Sequence, residues 1–394
     1  MSHSTLAIAV RSLRLSRGCV AKDAEQNNAG AAITIGQILV VAQLAIGLLV
    51  APFTMAAPKG GSSITIEALG TPVGAVGSRA AAINAAGTVI VGDAYWNATA
   101  EYPNNWYAAR WSRSSASGPW QVEDLRPLLP SSRWSWAMQV NNAGTVTVRS
   151  EDPSGGSHYR SLVIVAGVRY DLGLDVVPNS LSESDAMAGV KYDPSGANPD
   201  QPLYWASPYV ITAELLPVLA PGHGGQAIWF LGGGIRGTAD DADGVWLVQW
   251  TGGTGSWTIE RLRKLPPQFT PSGLNTQGRL AGRQCGTPCS PIRPFDPINY
   301  RAVVWDAPYA GLPTYLPNLA GTYSWAGSVM DSGVVVGLTV ASNGVDMLPV
   351  IWPTPGTVKA LPLLLRAKGG GTAGVNRNQI TGNVGAAAVL WTLP

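Results

Sequence analysis

The chain has 394 residues, rich in Gly (47), Pro (30) and Trp (15), with only 13% charged residues. That balance excludes a disordered chain, which needs high charge and few aromatic residues, and points to an all-β or repeat protein with a large core. Once Arg11, Arg14, Arg17, Lys22, Asp23 and Glu25 of the N-terminal segment are set aside, basic and acidic residues balance. The body therefore lacks the cationic footprint that phosphate contacts require, and no nucleic-acid partner is expected.

The N-terminus reads as an export signal with a long leader. Basic residues precede a run from Ala31 to Val50 that is apolar except for Thr34, Gln37 and Gln43, and Thr54-Met55-Ala56-Ala57-Pro58 follows. Cleavage is expected after Ala56, because a cut after Ala57 would leave Pro58 at the new terminus. Residues 1–56 are thus a signal peptide or, if retained, an N-terminal membrane segment, since about 20 apolar residues span a bilayer. Residues 57–63 are a linker containing Gly60 to Ser63, and residues 64–394 form the domain. The protein is expected to be secreted, periplasmic or in the cell envelope, with a membrane contact only if the segment stays.

The domain opens on a strand, Ile64 to Gly70, and then repeats. The first full unit runs from Ile83-Asn84-Ala85-Ala86-Gly87 through Thr88-Val89-Ile90-Val91-Gly92 to Ala108-Ala109-Arg110-Trp111. Such a unit cannot bury both its own faces and must stack on copies of itself. The turn position recurs at Gly87, Gly144, Asp185, Gly234, Gly278, Gly333 and Asn378, at intervals of roughly 41 to 57 residues, as in propeller blades. Asn and Gly suit a turn that needs positive φ. Third strands end at Trp111, Trp205, Trp250, Trp305, Trp352 and Trp391, with Ser161 to Ile164 in their place in unit two. Indoles at one place in every repeat read as inter-blade core. Fourth strands are expected at the Leu-Pro-rich segments Leu125 to Pro130, Leu172 to Pro178, Leu215 to Pro221, Leu262 to Pro266, Tyr315 to Leu319 and Leu361 to Leu365.

The seventh unit stops after its third strand, and Ile64 to Gly70 supplies the missing fourth. The fold class is therefore all-β: a seven-bladed β-propeller closed by an N-terminal strand, which leaves no open sheet edge. Six or eight blades stay open as alternatives, because the turns at Leu181 to Asp185 and Phe230 to Gly234 are degenerate.

The pattern Ile/Val-Asn-x-x-Gly-x-Val-Val-Gly, followed by a strand ending in Trp, resembles the bacterial extracellular HAF-repeat proteins over nearly all of the body from Ile64. The His-Ala-Phe tripeptide of that family is not kept, since Arg301-Ala302-Val303 retains only Ala302. The resemblance implies a secreted propeller and transfers no catalytic residue. Asn97-Ala98-Thr99 spells a glycosylation sequon that a bacterium is not expected to use.

Function must come from loops and the channel mouth. Ser135-Trp136-Ala137 and Ser324-Trp325-Ala326 stand at the same offset before their turns, placing two equivalent indoles in blades two and six. Trp134 and Tyr323, two residues earlier, extend these surfaces, and Trp96 and Trp106 flank the long loop of blade one. Exposed aromatic faces suit sugar rings or apolar side chains; packing under a loop or plugging the channel is the competing role. Cys285 and Cys289 share one loop and are expected to form a disulfide in an exported protein. Asp241 and Asp243 have a calcium-like spacing, but lack the downstream Glu of an EF-hand and read as a hairpin turn. With only His158 and His223 beyond the leader, and no Gly-x-Ser-x-Gly or His-Glu-x-x-His, an enzyme has little to stand on. A carboxylate mechanism would draw on Glu183, Asp185 or Glu101. The reading is a monomeric, cofactor-free binding module for carbohydrate or a cell-surface protein or polymer; the alternatives are an envelope scaffold and a carboxylate-dependent glycoside hydrolase or lyase.

Overall fold

The computed structural model describes residues 63–97, 106–115, 117–129, 134–152, 158–285, 300–319, 323–341, 343, 346–365 and 367–394. Within them the chain folds into seven four-stranded antiparallel sheets. Six are made of consecutive strands; in the seventh, Thr65–Ala68 pairs with Ala387–Thr392, so the strand before blade one completes blade seven. The protein is a seven-bladed β-propeller, and the degenerate turns of units three and four belong to true blades. The expected signal segment 1–56 lies outside the described residues, among which no helix is long and apolar enough to cross a membrane.

First strands line the centre of the ring, where those of most successive blades touch. They are Gly77–Ile83, Ser135–Val140, Val176–Leu181, Gly225–Leu231, Phe269–Leu274, Ser324–Val329 and Gly370–Asn376. All seven carry a register shift at one place, such as Ala80/Ala82 in blade one and Ala326/Ser328 in blade six. At this bulge a first-strand carbonyl crowds the second strand. A Cβ on Gly92 would lie 2.0 Å from the Arg79 oxygen, and one on Gly337 would lie 1.9 Å from that of Trp325. That close approach is the reason for the final glycine of the repeat motif; blade two, with Val148 at this place, departs from it.

The turn asparagine has two jobs. Its Oδ1 accepts from its own turn, as from Thr88 N at 2.9 Å to Asn84 and from Arg279 N at 2.8 Å to Asn275. Its Nδ2 donates to the matching turn of the next blade: Asn141 to Ser182 O at 3.0 Å, Asn275 to Met330 O at 3.1 Å, and Asn376 to Asn84 O at 2.9 Å, which ties blade seven to blade one. Positive φ falls on Gly87, Gly144, Asp185, Gly278 and Gly333 as expected. In blade four it falls on Gly232 and Gly233 instead, a two-residue hairpin turn, and Gly234 already begins the next strand. Asn378 does not take positive φ; its side chain donates to Leu393 O.

The six strand-ending indoles are buried core. Trp250, Trp352 and Trp391 donate to the carbonyls of Pro217, Pro317 and Pro362 in the preceding blade at 2.7–2.8 Å, and Trp111 donates to Gly70 O at 3.1 Å. The Leu-Pro segments are largely the exits from the fourth strands rather than the strands themselves, which include Gln121–Asp124, Glu214–Leu215, Thr314–Tyr315 and Thr357–Ala360. Proline has no N–H for the ladder. The leucine before it is the last rung, with Leu216, Leu316 and Leu361 donating to Pro202, Ala302 and Pro349, and its buried side chain fills the gap between blades.

Candidate ligand-binding mouth of the channel

At one end of the ring, second strands pass to third strands and each blade passes to the next. The Ser-x-Ala triplets open their first strands there. Ser135 Oγ accepts the N–H of Ala108 at 3.0 Å and Ser324 Oγ that of Ala302 at 2.9 Å, each from the third strand of the preceding blade. Blade one has the same device in Ser78-Arg79-Ala80, with Ser78 Oγ accepting from Ala388 at 3.2 Å. Side chains alternate along a strand, so Ser and Ala share the face toward the preceding blade while the middle residue stands on the other face of the strand. The middle position is free to vary: Arg79, Trp136 and Trp325 occupy it here.

Around Trp136 a nest of aromatic residues forms within blade two. Its ring stacks on Trp134 at 4.6 Å between centroids, and Trp134 lies 5.3 Å from Tyr159. Arg149, directly opposite Trp136 in register and 2% exposed, places its guanidinium carbon 3.7 Å from the Tyr159 centroid. A second nest spans blades five and six. Arg283 follows Gly282 as Arg149 follows Val148, and Tyr300 is the first residue of its strand, as Tyr159 is. The residue opposite Arg283 is the small Thr270, so the guanidinium reaches the neighbouring blade: 5.0 Å to Trp325 and 4.8 Å to Tyr300, with Tyr323 6.4 Å from Tyr300. Burial pushes the Tyr323 hydroxyl up from its ordinary pKa, against the pull of Arg283.

Blade one holds a third, charge-balanced cluster. Arg79 bonds Asp93 at 3.1 Å and lies 3.8 Å over Trp106, which is 4.6 Å from Tyr95. Burial raises Asp93 from 3.8 to about 6 in spite of the guanidinium. Trp96 is not part of this group: it packs edge-on against Tyr107 at 5.6 Å beneath Arg126. The structure thus joins Trp134 with Trp136 and places Tyr323 and Trp325 in one nest, but sets Trp96 and Trp106 in separate clusters. Blades three, four and seven carry Val177, Gln226 and Gly371 at the middle position.

No family model and no curated protein matches the chain. Among solved structures it is similar to the β-propeller domain of the Trilobed protease from Pyrococcus furiosus, with a TM-score of 0.48 and 8% identity over 80% of this chain and 94% of that one. Virginiamycin B lyase from Staphylococcus aureus gives 0.41 and 10% over 84% and 100%. TolB from Acinetobacter baumannii gives 0.37 and 10% over 82% and 65%. These are likenesses of fold.

The remaining rim also carries polar groups. A cleft of about 530 Å³ in blade three is lined by Asp175, Lys191, Tyr192 and Asp193 among others, and donors from Ser195 and Asn198 hold Asp193 down at about 2. Both histidines are clasped through Nδ1, His158 by Asp175 at 2.7 Å and His223 by Asp240 at 3.1 Å. Glu183 and Asp185 lie at the opposite end of the ring, where Glu183 accepts from Asn142 N and Asp185 from Asn141 Nδ2, so they staple blades. Asp241 Oδ1 accepts from Asp243 N, Gly244 N and Trp246 Nε1, as in a hairpin turn, and its carboxylate pairs with Arg261. Among the described residues no group of three or more His, Cys, Asp or Glu is placed to hold a metal. Cys285 ends the second strand of blade five; Cys289 and Glu101 lie outside the described residues.

Arg149, Arg283, Tyr159 and Tyr300 were not singled out in the sequence. The signal was there: each arginine follows the bulge-contact residue, in phase with Asp93 after Gly92.

Proposed function

We propose that this propeller is an exported, non-catalytic binding module that takes carbohydrate or a cell-surface polymer at the mouth of its channel, on Trp134, Trp136, Tyr323 and Trp325. One observation supports it above the rest: the mouth carries two half-buried aromatic nests, each with an arginine at one matching position of the repeat. Stacked indole and phenol faces offer large contact area at low conformational cost, which suits sugar rings. Trp106, beside Arg79, adds a third face. The carboxylates Glu183 and Asp185, engaged at the far end, do not favour glycoside chemistry. The leader pattern of residues 1–56 and the resemblance to bacterial HAF-repeat proteins support a secreted, periplasmic or envelope setting, in which a Cys285–Cys289 disulfide would close the long loop of blade five.

A glycan and polysaccharide screen of the full chain, with and without calcium and with product release monitored, tests this. Saturable binding without turnover is the expected result. Released product would move the protein to the enzymes, and silence across the panel would favour a scaffold.

A further inference from the structure

Among the described residues, the cation in the nest at blades five and six has no counter-ion. Among the described residues Arg283 is paired with no carboxylate, unlike Arg79, the cation of the blade-one cluster, which is held by Asp93. Its guanidinium is half-buried between Tyr300 and Trp325 and hydrogen-bonds the Tyr323 hydroxyl, while its Nε is buried without a hydrogen-bond partner. The indole Nε1 of Trp136 in the other nest is likewise a buried donor without a partner. Both groups donate and cannot accept. Holding a partly exposed guanidinium among unmet donors and without a counter-ion is costly, and an acceptor-only ligand group at its accessible edge offsets that cost.

From this we infer that the glycan is anionic, a polymer whose sugar rings carry carboxylate or sulfate groups. The acid group takes Arg283, while its ring lies on Trp325 and Tyr300. The inference rests on the binding reading above and narrows its ligand. Arginine is suited to the task because its planar fork grips an oxyanion with two N–H groups while its face stays on the aromatic wall.

The test is titration of the full chain with oligogalacturonate, dextran sulfate and a neutral glucan of matched length, at low and high sodium chloride, for the parent, Arg283→Gln and Arg283→Lys. The anionic glycans should bind and the neutral one should bind more weakly, with affinity for the anions falling as salt rises. Arg283→Gln should lose tenfold or more for the anionic ligands, about 1.4 kcal/mol or more, a larger factor than for the neutral one, and Arg283→Lys should recover part of the loss. Preference for oligogalacturonate over dextran sulfate would assign carboxylate, and the reverse sulfate. Equal binding of neutral and anionic glycans, insensitive to salt and to Arg283→Gln, would overturn the inference and leave the binding module standing. Binding of none of the three by a parent chain with a normal melting transition would remove both.

Discussion

The α-carbon of Gly337 faces the carbonyl of Trp325 so closely that a methyl group there would sit 1.9 Å from the oxygen. Gly337→Ala should therefore cost roughly 2–4 kcal/mol in chemical denaturation. A cost below about 0.5 kcal/mol would mean that the strands relax there, as blade two does around Val148. Asp93 makes a pH prediction of definite sign. Its folded pKa of about 6 lies above its ordinary 3.8, so the stability it contributes is complete below the lower value and is lost as pH rises through the upper one. Asp93→Asn, which cannot ionise, should gain on the parent across that window, by about 3 kcal/mol at most; parallel unfolding curves from acid to neutral pH would refute the assignment. At this scale Trp136 and Trp325 were legible because an indole at a fixed offset from a turn stands out. Arg149 and Arg283 were not, because their meaning comes from the bulge contact, which Gly282 marks just before Arg283 but which Val148 hides in blade two.

At the scale of the strand and turn, the repeated asparagine does what a generic turn residue would not. Asn275 is fully buried, accepts from Gln277 and Arg279, and donates to the next blade at Met330. Asn275→Ala should cost roughly 2–3 kcal/mol, since it strands buried backbone groups of two blades. Asn378→Ala, which removes an exposed bond to Leu393, should stay within about 0.5 kcal/mol. Equal melting temperatures for the two variants would argue that the inter-blade bond is incidental. The blade count, the buried tryptophans and the closing strand were readable because turn and strand-end residues repeat in phase. Fourth strands were misplaced because the conspicuous Leu-Pro pairs mark where the ladder stops, while strands as short as Glu214–Leu215 and Thr314–Tyr315 leave little pattern of their own. The turn of blade four shifted by one residue because three consecutive glycines, Gly232 to Gly234, give no phase.

For the whole molecule, closure joins the two ends of the domain. Thr65–Ala68 covers the last strand of blade seven, and Gly70 receives the indole of Trp111 and the hydroxyl of Ser78. Deleting residues up to Gly70 should expose the Ala387–Thr392 edge, lower the melting temperature and promote self-association in size-exclusion chromatography. Unchanged elution with unchanged melting would show that blade seven stands on three strands. The ring also sets the arginines of the two nests in one layer, three blades apart in a circle of seven. The measurement that tests the account most directly is titration of the full chain and of the Trp136→Ala, Trp325→Ala double variant against the same glycan panel, with melting followed in parallel. The account predicts that the variant melts like the parent and loses binding by about a hundredfold or more. A parent that binds no glycan, or a folded double variant that binds as tightly as the parent, would contradict it.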